Sequence, residues 1–92
     1  MLKPIRGKQF KKDYKLMTKR PVNLEELHTV MKKILKKEAL DSKYKNHFLQ
    51  GQLKEYQELH ILNDWLLIYK VDLENKKVLF FRTGTHSDLF KK

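Results

Sequence analysis

The chain contains no cysteine. A disulfide framework and a thiolate zinc site are therefore excluded, and nothing in the composition hints at secretion. Glycine and proline are scarce, at 3 and 2 residues. No linker, repeat or low-complexity tract is visible. Long apolar runs are also missing. The longest, "WLLIY" at 65–69, is far too short to cross a bilayer. The N-terminal stretch "MLKPIRGKQFKKDYK" has no apolar core of a signal peptide. These absences predict one cytoplasmic domain spanning residues 1–92, with no membrane partner. Acidic residues are few at the start. Residues 1–20 hold Lys3, Arg6, Lys8, Lys11, Lys12, Lys15, Lys19 and Arg20 against Asp13 alone.

What is present is basic charge: 21 Lys and Arg against 11 Asp and Glu, a net +10. The excess sits in the N-terminal half, whereas residues 46–90 carry five basic and six acidic side chains. Such an asymmetry favours a polyanion, whether nucleic acid, an anionic surface or an acidic protein. A lysine-rich solubilising surface is the plainer reading.

Hydrophobic periodicity outlines the fold. "LKPI" reads as a short edge strand, because Pro4 lacks a donor for a central ladder. Phe10, Tyr14 and Met17 recur at helical spacing within 8–19. Pro21 disfavours a helical Arg20 and ends that segment. Asn23 is the expected cap of a second helix, with Glu26 completing a capping box. Leu24, Leu27, Val30, Met31, Ile34 and Leu35 form its apolar stripe. Residues 38–51 show no period and read as a long connection that includes His47. In "QLKEYQELHI" Leu53, Leu59 and Ile61 alternate with Tyr56, Glu58 and His60. "WLLIYKVD" reads as a central strand. "ENKK" is a turn, with Asn75 suited to a positive φ. "KVLFFRT" then puts Val78, Phe80 and Arg82 on one face. Two helices followed by an antiparallel meander predict an α+β fold, both helices packed on one face of a curved sheet.

The open face is then the place for chemistry. Tyr56, Glu58 and His60 lie there, Arg82 can reach it, and His47, Asp64, Trp65 and His86 lie close by in the chain. Histidine suits proton transfer near neutrality. Each residue also has an ordinary explanation. A strand histidine is more often a surface or structural residue, and His28 in the second helix is read that way. Glu58 can balance lysines, Asp64 can cap a turn, and Phe90 can plug the core. His47, His60, His86 and Asp64 are also plausible zinc ligands, but their spacing lacks a compact pair and Arg82 opposes a cation.

The pieces "DYK" at 13–15, "HFLQG" at 47–51, "ELHILNDWLLIYKVD" at 58–72 and "RTGTHSDLF" at 82–90 carry a resemblance over nearly the whole chain. It resembles the YafQ branch of the RelE/ParE-like toxins of bacterial type II toxin–antitoxin systems. The resemblance implies a small basic endoribonuclease, an mRNA interferase that needs no cofactor or metal and cuts mRNA on the ribosome. It implies His47, His60 and His86 as catalytic histidines, Asp64 as the catalytic carboxylate, Arg82 as the phosphate cation and Phe90 as an aromatic beside the scissile nucleotides. Glu58 joins them because it shares a strand face with His60. Lys8, Lys11, Lys12, Lys15, Lys54 and Trp65 are the expected RNA contacts. Gln57 stands where the family commonly has arginine. The implied partners are mRNA, the ribosome, a small acidic antitoxin, and operator DNA through the antitoxin complex alone. Two alternatives are a non-catalytic nucleic-acid-binding module and a ParE-like gyrase inhibitor, since fold does not fix activity. Three histidines and an arginine on one face favour the ribonuclease.

Overall fold

The structure is a computed structural model and describes residues 1–90. The chain starts with strand β1 (Lys3–Arg6), then helices α1 (Lys8–Met17) and α2 (Leu24–Leu35). Strands β2 (His47–Phe48), β3 (Gln57–Leu62), β4 (Trp65–Asp72) and β5 (Lys77–Gly84) follow, and helix α3 (His86–Leu89) closes the described chain. The strands form one sheet in the order β1-β5-β4-β3-β2. Among the described residues no helix is long and apolar enough to cross a membrane.

The α+β arrangement agrees with the periodicity. Phe10 and Met17 of α1 and Leu27, Val30, Met31 and Ile34 of α2 share one buried cluster with Leu59, Ile61, Trp65, Leu67, Tyr69, Val78 and Phe80. The sheet members alternate along their strands, so both helices cover one face. Three strands are antiparallel neighbours, as expected, but β1 pairs with β5 in parallel and makes the sheet mixed.

Several local expectations are corrected. The Asn23 side chain does cap α2, but it accepts from the Glu25 N–H, and Glu26 completes no box there. The chain has its capping box on α3 instead, between Thr85 and Asp88. In the 73–76 turn Lys76, not Asn75, takes the positive φ of 54°. Asn75 instead donates to the Asp72 carboxylate from its backbone and its side chain. The 38–51 connection is ordered by a 3-10 turn at Ser42–Tyr44 and by β2, so His47 sits on a strand. Leu53 belongs to a 3-10 turn before β3 rather than to the strand.

The largest correction concerns Arg82. Strict alternation puts it beside Val78 and Phe80, on the helix-covered face. The pairing slips instead: Tyr69 faces Phe80, yet Ile68 faces Arg82. One extra residue in β5, Phe81, makes a β-bulge that sends Phe81 and Arg82 out on the same side. Thr83 then returns to the core, 1% exposed. The bulge is what takes the Arg82 side chain off the core face, and its guanidinium then meets Asp13 of α1 at the β5 edge.

Candidate active site

The open face is built on cross-strand register. His47 pairs with Glu58, Glu58 with Ile68 and Ile68 with Arg82. One step along, His60 pairs with Leu66 and Leu66 with Gly84. Leu66 and Ile68 alternate away from the main core but are still buried, at 0% and 2% exposure. They form an apolar floor with polar side chains on either side.

Three imidazoles line up across this floor. The His47 and His60 rings are 6.5 Å apart, and the His60 and His86 rings 6.0 Å. The Phe90 ring lies 6.0 Å beyond His86. Phe90 is 44% exposed, so it is no core plug. At these separations neighbouring rings are in contact, so a substrate would lie along the exposed side of the row and not between the rings.

Each histidine is held differently. His47 Nδ1 lies 2.8 Å from the Lys45 carbonyl, which only accepts, so Nδ1 carries the proton. Its Nε2 faces the buried Glu58 carboxylate at 3.3 Å. Both ring nitrogens of His47 are therefore occupied. His86 Nδ1 lies 2.7 Å from Asp64 Oδ1, and the His86 backbone N–H donates to the same oxygen at 3.2 Å. These contacts from His86 hold the Asp64 carboxyl below its usual range. The pairing fixes the His86 ring and leaves Nε2 facing outward. His60 has no hydrogen-bond partner among the described residues.

A side-chain network anchored on the buried Tyr69 supports β2. The Tyr69 hydroxyl donates to Asn46 Oδ1 at 2.7 Å, and Asn46 Nδ2 donates to Gln57 Oε1 at 2.8 Å. Burial pushes the Tyr69 hydroxyl up to about 12, so it stays a donor at any ordinary pH. Gln57, at the position where arginine was expected, thus ties β3 to the residue before His47.

Arg82 is pinned by a residue that sequence reasoning missed. Its Nε and Nη2 donate to the Asp13 carboxylate at 2.7 and 3.2 Å. Asp13 is 7% exposed and also accepts the Thr83 backbone N–H at 3.1 Å. That N–H belongs to the stretch of β5 beyond the end of β1, an edge with no strand beside it. Asp13 closes this edge and holds the guanidinium, whose Nη1 remains available. One signal was present: Asp13 lies between Phe10 and Met17 on the apolar stripe, an odd place for the one carboxylate of a basic segment.

Trp65 is the one expected RNA contact that the structure removes. It is 4% exposed, and its indole N–H donates to the buried Thr83 hydroxyl at 2.9 Å. An indole held this way has no face to offer a base. Lys8, Lys11, Lys12, Lys15 and Lys54 are all exposed. His28 lies apart, 2.9 Å from the Tyr14 hydroxyl on the helical side. Among the described residues, no group of three or more His, Cys, Asp or Glu side chains is arranged to hold a metal ion.

Comparison with known proteins gives a consistent family. A profile described as "Bacterial toxin of type II toxin-antitoxin system, YafQ" matches residues 2–91. The mRNA interferase toxin YafQ of Escherichia coli K12 is 42% identical over 83 residues, spanning 89% of this chain and 88% of that protein. The YafQ chain in the crystal structure of the E. coli DinJ–YafQ complex superposes with a TM-score of 0.87 at 37% identity, covering 98% of this chain and 99% of that one. A metal-bound toxin from Helicobacter pylori superposes with a TM-score of 0.91 at 36% identity, covering 98% and 100% of the two chains.

Proposed function

The chain belongs to the YafQ family of toxins of bacterial type II toxin–antitoxin systems, and we propose that its open sheet face cuts mRNA by metal-independent transphosphorylation. It is a toxin and an mRNA interferase, hence an endoribonuclease. The observation that carries the mechanism is the row of three imidazoles with two carboxylates on one open face.

RNA carries its own nucleophile. The 2′-OH attacks the adjacent phosphorus, the new O2′–P bond forms and the P–O5′ bond breaks. The products are a 2′,3′-cyclic phosphate and a 5′-OH. The step needs a base for the 2′-OH proton, an acid for the 5′-oxygen and a cation for the charge gathering on phosphate. His60 has a ring nitrogen free to take the proton. His86, with Nδ1 fixed on Asp64, can deliver one from Nε2. Arg82 Nη1 and the His47–Glu58 pair can face the phosphate oxygens, and Phe90 can stack a base. DNA lacks the 2′-OH and should not be cut.

The reaction is tested by mapping RNA ends. Cleavage is expected to leave 2′,3′-cyclic phosphate ends and to proceed equally fast after treatment with a chelator. Activity lost to the chelator and restored by zinc or copper would refute the metal-free route.

The ribosome is the proposed site of action, in the cytoplasm, with Lys8, Lys11, Lys12, Lys15 and Lys54 gripping RNA backbone. Each phosphate contact to a single strand contributes a log–log salt slope of roughly −0.7. Changing Lys8, Lys11, Lys12 and Lys15 together to glutamine is expected to weaken RNA or ribosome binding and flatten that slope. Cleavage at saturating protein should stay near the original rate, because no lysine moves a proton. Loss of cleavage at saturation would put α1 in the chemistry.

The partner is a cognate antitoxin, as in the DinJ–YafQ complex of the E. coli relative. A small acidic chain covering Arg82 and His86 suits the +10 charge and would associate quickly. Operator DNA would be reached only through that complex.

A further inference from the structure

We propose that Arg20 and Asp88 form a clamp that positions His86 for proton transfer, with Arg20 acting as a positioning residue rather than an RNA contact. The inference rests on the ribonuclease reading for His86, but its geometry stands apart from it.

His86 sits on a segment with little to hold it. Helix α3 has four residues, less than the length at which a helix is stable alone. None of its residues is buried. The contact between His86 and Asp64 joins two exposed side chains, 55% and 61% accessible. Such a pair does not by itself fix a ring, because solvent screens it and each side chain loses entropy.

Asp88 supplies the missing restraint. Its Oδ2 accepts the Thr85 backbone N–H at 2.9 Å, and its own N–H donates to Thr85 Oγ1 at 3.2 Å. His86 is thus enclosed between the two residues of a capping box. Gly84 lets this happen: its φ is +152°, and a Cβ there would lie 2.9 Å from Asp88 Oδ2.

Arg20 locks the box to the body of the protein. Its Nη1 and Nη2 donate to Asp88 Oδ2 and Oδ1 at 2.6 and 3.1 Å, a two-pronged contact. Nη1 also lies 3.4 Å from Met17 Sδ, and Met17 is in the core at 1% exposure. A rigid chain of contacts therefore runs from the core through Arg20 and Asp88 to the backbone of His86. Arg20 holds the Asp88 carboxyl far below its usual range, so the contact stays charged at working pH. The clamp has a second consequence. An unpaired Asp88 beside the reacting phosphate would repel it, and Arg20 cancels that charge.

The full chain tests this with Asp88→Asn, Arg20→Met and Arg20→Lys, each also combined with His86→Ala. Asp88→Asn keeps an oxygen for the Thr85 N–H and removes the charge and the Arg20 Nη2 prong of the contact. The readouts are single-turnover cleavage at saturating protein, affinity for an RNA that lacks the reacting 2′-OH, and exchange of the Leu89 and Phe90 amides, which bond back to Thr85 and His86. Asp88→Asn and Arg20→Met are expected to slow cleavage about tenfold, as misplacement of a reacting group does. RNA affinity should hold, the two amides should exchange faster, and Arg20→Lys should recover part of the rate. In the His86→Ala background neither change should slow cleavage further, because the clamp acts through His86. An equal loss in that background, an unchanged rate, or a fall in RNA affinity would overturn the proposal. If Arg20→Met does not fold, Arg20→Lys and Asp88→Asn carry the same comparison. A wild-type chain that fails to cut RNA overturns the ribonuclease reading instead. The amide exchange then still decides whether the clamp orders α3, and unchanged exchange rejects it.

Discussion

Replacing His86 with alanine is expected to slow single-turnover RNA cleavage by on the order of 10²-fold or more, with the fold intact. The imidazole is exposed and lies outside the buried cluster, so its removal opens no cavity. What is lost is the group that Asp64 orients and, in the proposed mechanism, the proton for the departing 5′-oxygen. Asp64→Asn should have the same direction and a smaller size. An amide oxygen still accepts from Nδ1 but brings no negative charge beside the ring. The measurement is cleavage of a labelled RNA in excess protein, beside circular dichroism to verify folding. A folded His86→Ala protein that cuts at the original rate would remove His86 from the mechanism and leave His47 and His60 to account for it.

Replacing Asp13 with alanine is expected to give the largest loss of stability, about 3 kcal/mol. Two groups are orphaned at once. Arg82 is left partly buried without its counter-charge, and the Thr83 N–H has no acceptor at an otherwise open strand edge. For a domain of this size that corresponds to a fall in melting temperature of roughly 12 °C or more. Asp13→Asn should cost less, because its amide oxygen still meets the Thr83 N–H. Cleavage should also fall in both variants, since a guanidinium released from Asp13 no longer presents Nη1 in one place. Thermal unfolding that is unchanged in Asp13→Ala would mean that the pair is broken in solution.

The two outcomes differ in a way that follows from structure. His86 is exposed and chemical, whereas Asp13 is buried and structural. His86 stands on the open face, whereas Asp13 acts from α1 by fixing Arg82 at the β5 edge.

Local pattern alone determined much of this protein. The apolar stripes of α1 and α2 and the alternation of β3 are set by neighbours within a few residues. They placed Leu59 and Ile61 inward and Glu58 and His60 together on the opposite face. The grouping of residues on the proposed catalytic face followed from the same alternation, together with the resemblance carried by "RTGTHSDLF". Tertiary structure decided the rest. The bulge that turns Arg82 outward depends on how β5 fits against β4, and alternation by itself pointed the other way. His47 became a strand residue only by pairing with Glu58. Trp65 opens a strand next to site residues, but its ring is turned inward by the Thr83 hydroxyl. Asp13 with Arg82 and Arg20 with Asp88 are separated by 69 and 68 positions. No periodicity reaches across such distances. A side chain's face is written in its neighbours, but the partner that holds it is chosen only when distant segments pack, because burial makes an unpaired charge too costly to leave alone.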